Sequence, residues 1–134
     1  MTERAMHRPW SELAESYEQS ATYREEWSSS HCALAKLCHA IGNSAVGDGL
    51  FGYKSHHTLR IAQQRTSYPP HPSIQWLVIK PDAKSNSIEF RFEDTKRLAD
   101  QWARIELPER TLVRFNGFLR HVGWANDPVL EHKP

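Results

Sequence analysis

The chain has 134 residues, of which 39% are hydrophobic and 25% charged, and a formal net charge of +1. That length suits one domain with a true core and is short for two, while five Trp, five Phe and four Tyr exclude a disordered composition. Near-neutral charge gives no support to a dedicated DNA-binding domain or to adhesion on an anionic membrane. Through Leu50 there are four Lys or Arg against seven Asp or Glu, and beyond it thirteen against nine, which is too slight an asymmetry to make a basic stripe. No apolar run approaches the roughly 18 residues of a membrane span, and MTERAMHRPW has no apolar signal core, so the expectation is a cytoplasmic chain with no membrane contact.

Trp10, Leu13, Tyr17 and Ala21 recur at helical spacing, Pro9 suits a first turn, and Glu12 and Glu15 complement the helix dipole. The pattern predicts a helix from Pro9 to Trp27. Ser28, Ser29 and Ser30 interrupt it and offer a cap to a second helix, whose His31, Leu34, Leu37, Cys38 and Ile41 share one face and which stops at Gly42-Asn43. On that helix Cys32 and Cys38, the only cysteines, are separated by about 9 Å of rise, beyond the roughly 7 Å limit for a disulfide. Reduced thiols match a cytosol.

The segment GNSAVGDGLFG holds four of the six glycines and marks the change from helical period to alternation. Phe51, Tyr53, Ser55, His57, Leu59 and Ile61 then alternate with Lys54, His56, Thr58 and Arg60, which predicts one half-buried strand. SYPPHPS reads as a loop because proline cannot serve a central ladder. Ile74–Ile79 reads as a central strand, PDAKSNS as a turn, and Ile88, Phe90 and Phe92, alternating with Glu89 and Arg91, as the partner strand. Asp94 or Thr95 caps a further predicted helix in which Leu98, Trp102 and Ile105 fall at i, i+4 and i+7, closed by Pro108. Leu112, Phe115, Leu119 and Val122 predict a last helix, against the disfavouring Asn116-Gly117.

Few constellations carry chemistry. HCALAKLCH brings together zinc-ligand types, but His31 with Cys38 and Cys32 with His39 lie seven residues apart rather than three or four, so no metal is expected. Asp82, Glu89 and Arg91 faintly resemble the PD-(D/E)xK nucleases, a reading rejected because Arg91 stands for the lysine and Asp82 falls in a turn. There is no GxSxG or GxxxxGK[ST] and no GxGxxG after a strand; VGDGLFG lies between a helix and a strand, the reverse of the order that directs amides at a phosphate, and reads as a turn. Adjacent His56 and His57 on a strand would face opposite sides.

The chain therefore reads as a single α+β domain over residues 1–134. Two N-terminal helices pack on a small, mainly antiparallel sheet with one or two C-terminal helices, and about residues 1–8 and 125–134 are frayed. The leading functional expectation is a non-catalytic accessory protein, a regulatory or neutralising partner of another protein, anchored by Trp27 and Trp124. The alternative is a nucleic-acid or phosphate-binding surface made by Lys54, His56, Arg60, Arg65, Tyr68 and His71. A third is a small enzyme using His56, His57 or His71 as acid or base. No cofactor is expected.

Overall fold

The computed structural model describes residues 4–65, 67–68, 75–94, 97 and 101–130. In chain order the elements are β1 (Arg4–Ala5), α1 (Trp10–Ala21), a 3-10 turn (Glu25–Trp27), α2 (Ser28–Gly42) and a second 3-10 turn (Ala45–Gly49). There follow β2 (Phe51–Ser55), β3 (Thr58–Ala62), β4 (Ser67–Tyr68), β5 (Gln75–Asp82), β6 (Ser87–Asp94), β7 (Trp102–Glu106), a 3-10 turn (Pro108–Arg110) and α3 (Thr111–His121). Strands β2-β3-β5-β6-β7 form an antiparallel sheet in that order, and β1 pairs with β4 beside it. The fold is α+β. Among the described residues no helix is long and apolar enough to cross a membrane.

One face of the sheet is dry. Leu59, Ile61, Leu77, Ile79, Ile88, Phe90 and Phe92 bury against Leu13, Ala14 and Tyr17 of α1, Leu34, Leu37, Cys38 and Ile41 of α2, and Phe115, Phe118 and Leu119 of α3. The opposite face carries Tyr53 edge-on to Trp76 and the Arg60–Glu93 ion pair at 3.1 Å. Alternation along β6 follows from this division: one side chain in the core, the next toward solvent. Gly52 sits on the dry face, where a Cβ would come within 2.7 Å of the Trp10 indole, so α1 can lie against β2 only at a glycine.

The β5–β6 hairpin follows the sequence expectation, from Gln75↔Asp94 to Asp82↔Ser87. Elsewhere the structure corrects it. The first helix ends at Ala21 rather than Trp27: Thr22 Oγ1 folds back to the Gln19 carbonyl at 2.7 Å, and Arg24 is extended at φ −145°. The second helix begins at Ser28, so the serines lie in its first turn.

The single strand expected over Phe51–Ile61 is a hairpin. His56 takes φ +58° and, with His57, turns the chain so that Ser55 faces Thr58. A two-residue turn inverts parity, so odd positions of β2 share a face with even positions of β3, and the apparently unbroken alternation conceals a change of side.

The helix expected through Leu98, Trp102 and Ile105 is also replaced. Trp102–Glu106 is the edge strand β7, paired with β6 from Ile88↔Glu106 to Phe92↔Trp102. The i, i+4, i+7 spacing was coincidental there: Trp102 is a partly buried residue packed against the core, whereas Ile105 is exposed. Ser67–Tyr68, inside the stretch read as a loop, pairs with β1; the rest of that stretch, Thr95 and Leu98 lie outside the described residues.

Of the ends expected to be frayed, residues 1–3 and 131–134 lie outside the described residues. Arg8 bridges to Gly52, and Val129 is wholly buried. Asn116 explains the latter and its own position inside α3: its side chain donates to the Val129 carbonyl at 2.8 Å and accepts from the Val129 amide at 2.7 Å, taking the place of a strand partner. Its neighbour Gly117 has no such reason, since a Cβ there would meet nothing within 4 Å. Gly117→Ala is expected to stabilise the protein by about 0.5–1 kcal/mol, raising Tm by roughly 2–4 °C in a thermal melt. A fall in Tm would mean that α3 does not run unbroken through this position.

Candidate functional site

Three aromatic rings from separate segments meet at one end of the helix layer. Trp27, at the junction of the 3-10 turn and α2, stacks on His31 with centroids 5.3 Å apart and planes 7° from parallel. His57, from the β2–β3 turn, lies 4.8 Å from Trp27 and 5.0 Å from His31. They line a cleft of about 660 Å³ closed on its other side by the β5–β6 turn, with Arg24, Glu26, Lys80, Asp82 and Lys84 at its rim.

The polar atoms behind the rings are specifically paired. His31 is buried, with Nδ1 2.6 Å from the Ser20 hydroxyl, and that hydroxyl lies 3.1 Å from the Tyr17 carbonyl. Ser20 has one hydrogen to give, and whether the carbonyl or His31 Nδ1 takes it sets the His31 tautomer. Tyr17, fully buried, donates its hydroxyl to the His57 carbonyl at 2.9 Å and so holds the turn against α1. The Lys54 ammonium lies 4.4 Å from the Tyr17 ring centroid and donates to Ser16 Oγ at 2.9 Å. His57 Nδ1 is buried with no hydrogen-bond partner among the described residues.

This setting keeps both imidazoles neutral. Burial lowers the pKa of His31 from its ordinary 6.5 to about 4, with His57 and Lys54 adding positive charge. Burial first, then Lys54 and His56, also lower the pKa of His57. Burial lowers that of Lys54 and raises those of Tyr17 and Cys38. Each shift penalises the charged form in a poorly solvated place.

Of the residues expected to form a basic surface, the described ones are divided: Lys54 and His56 line one cleft with Arg8 and Ser16, and Arg60 and Arg65 lie elsewhere. Lys54 points to the helices, while Arg60 is on the opposite face with Glu93. His56 is exposed at the turn, and Arg65 lies over Phe51 at 5.7 Å. The side chain of Tyr68 and all of His71 fall outside the described residues. The two expected anchors separate as well: Trp27 stands in the cleft, whereas Trp124 packs edge-on to Phe118 at 5.1 Å and Phe92 at 6.2 Å, against the core.

The ligand-type residues of HCALAKLCH diverge too. His31 and Cys38 point inward, Cys32 is exposed, and His39 meets Glu18 at 2.5 Å. Of the acidic residues once compared with a nuclease, Asp82 accepts from the Lys84 amide at 3.0 Å, and Glu89 lies 3.9 Å from Arg91.

Sequence reading missed the cleft because its parts are remote in the chain and belong to unlike elements. Ser20 and His31 are eleven residues apart on different helices, and His57 arrives through a turn hidden by continuous alternation. Comparison with protein-family models, curated proteins and solved structures found no match to this chain.

The depressed pKa of His31 has a consequence for stability. The unfolded chain binds a proton near pH 6.5, while the folded chain does not until about pH 4. The contribution is therefore complete above pH 6.5 and is lost as pH falls toward 4, at no more than about 1.4 kcal/mol per pH unit. His31→Gln, which cannot titrate but can still reach Ser20, is expected to flatten the loss of unfolding free energy between pH 6.5 and 5 in urea titrations. An unchanged slope would place the acid sensitivity elsewhere.

Proposed function

We propose that the chain is a non-catalytic accessory protein, a regulatory or neutralising partner of another protein, and that the contact is centred on the cleft of Trp27, His31 and His57. The observation that carries this reading is the state of Trp27. Its large ring is partly exposed at the mouth of a cleft and already fixed by stacking on a buried His31, so little ordering is needed on binding. An anchor of this type suits a protein surface.

The neighbouring chemistry supports recognition rather than reaction. The Ser20 hydroxyl beside His31 is enclosed between α1 and α2, and the Cys38 thiol is buried with its pKa raised, so neither presents an accessible nucleophile. Lys54 sets a positive charge near the two neutral imidazoles, and the cleft rim carries Arg24, Lys80 and Lys84 against Glu26 and Asp82. Such a field favours an acidic group on the partner, which would bring the negative charge that the rings lack.

Trp27→Ala is expected to weaken the complex about 30-fold or more, the loss typical of a central aromatic anchor, when co-purified partner is quantified from matched preparations of wild type and variant. Trp124→Ala is expected instead to lower Tm, because its ring packs against Phe92 and Phe118. Undiminished recovery with folded Trp27→Ala would refute the placement. A polyanion that binds wild type with steep salt dependence and competes for the cleft would favour the nucleic-acid or phosphate alternative.

A further inference from the structure

Strand β7 forms one edge of the main sheet, and among the described residues no strand pairs with its outer side. An open edge offers unpaired N–H and C=O groups at alternate residues, and proteins that stay monomeric usually place charge on it. Here the solvent face of the edge is apolar. Ala103 is exposed, Ile105 is 69% exposed and Leu107, still extended, is 53% exposed. The other face of the same strand carries Arg104 and Glu106, one residue on each side of Ile105. Pro108 then begins a 3-10 turn and closes the pairing window.

We propose that the chain forms a two-fold symmetric dimer by antiparallel pairing of β7 with β7 of a second copy, joining two five-stranded sheets, with Ile105 opposite Ile105. Symmetry restricts the register. Paired residues must point to the same face, so the axis has to pass through a residue facing its own counterpart. Centring on Arg104 sets two guanidinium groups opposite each other, an unfavourable cross-strand pair, and centring on Glu106 sets Pro108, which has no amide hydrogen to give, opposite Arg104. Centring on Ala103 leaves Ile105 opposite Gln101 and Leu107 outside the interface.

Centring on Ile105 places Arg104 opposite Glu106 of the second copy twice over, and Ala103 opposite Leu107 of the second copy twice over. The Glu106 side chain is already oriented by Arg110 at 3.4 Å and by Arg114. Self-complementarity in both charge and apolar contact at one register favours a second copy over an unrelated strand as the occupant. This association is independent of the cleft, none of whose lining residues lies on β7.

Sedimentation equilibrium over a concentration series tests it. The wild-type mass is expected to rise from the 15.5 kDa of one chain toward twice that value. Ile105→Lys, at an exposed position that can carry lysine without disturbing the core, is expected to remain monomeric, because two ammonium groups would face each other on the axis. Ile105→Val should still dimerise, and Tyr23→Lys, a change at a residue exposed after α1, should dimerise as wild type does. A wild-type mass that stays at one chain into the millimolar range would overturn the proposal. So would an Ile105→Lys variant that dimerises like wild type.

Discussion

The hydroxyl of Tyr17 donates to the carbonyl of His57, and much of the arrangement follows from that bond. Tyr17 stands on α1 in the middle of the core, and its phenol can be buried only if its polar tip is satisfied. The β2–β3 turn supplies the acceptor. Pinned there, the turn sets His57 against His31 and Trp27, brings Lys54 over the Tyr17 ring, and aligns β2 so that Gly52 passes beneath Trp10. A helix pair, a tight hairpin and a cleft thus depend on a single buried donor.

The functional reading depends on the same enclosure. Imidazoles in water would be partly protonated near neutrality, but His31 is buried, His57 partly so, and Lys54 is close, which favours the neutral rings. Neutral rings stack readily with an indole and present acceptor nitrogens. The positive charge nearby comes from Lys54 and from Arg24, Lys80 and Lys84, which outnumber Glu26 and Asp82. The cleft is accordingly an aromatic recess suited to an acidic group, held by a scaffold rather than assembled on contact.

What the sequence disclosed was local. The second helix, the β5–β6 hairpin and the final helix are governed by periodicity and by turn residues close to them, and they lie where the pattern placed them. The failures have specific physical causes. A two-residue turn at His56-His57 preserves the appearance of alternation while exchanging faces, which moved Lys54 and Arg60 to opposite sides. Trp102 and Ile105 matched a helical spacing by coincidence, and pairing with the edge of β6 decided for strand. The Asn116 side chain holds Val129 from thirteen residues away, a contact that no local pattern announces. The cleft itself required Ser20, Trp27, His31 and His57 to meet from α1, α2, the 3-10 turn and a hairpin, a convergence that no single window of sequence contains.

The most direct test is a pH titration of the histidine ring signals by two-dimensional NMR, with the nitrogen shifts reporting the tautomer. The structure requires His31 to remain neutral down to about pH 4, and His57 to titrate below its ordinary 6.5. If both rings instead protonate near 6.5 as solvated imidazoles do, the turn is not packed against α1 and α2, and the cleft does not exist in the form described.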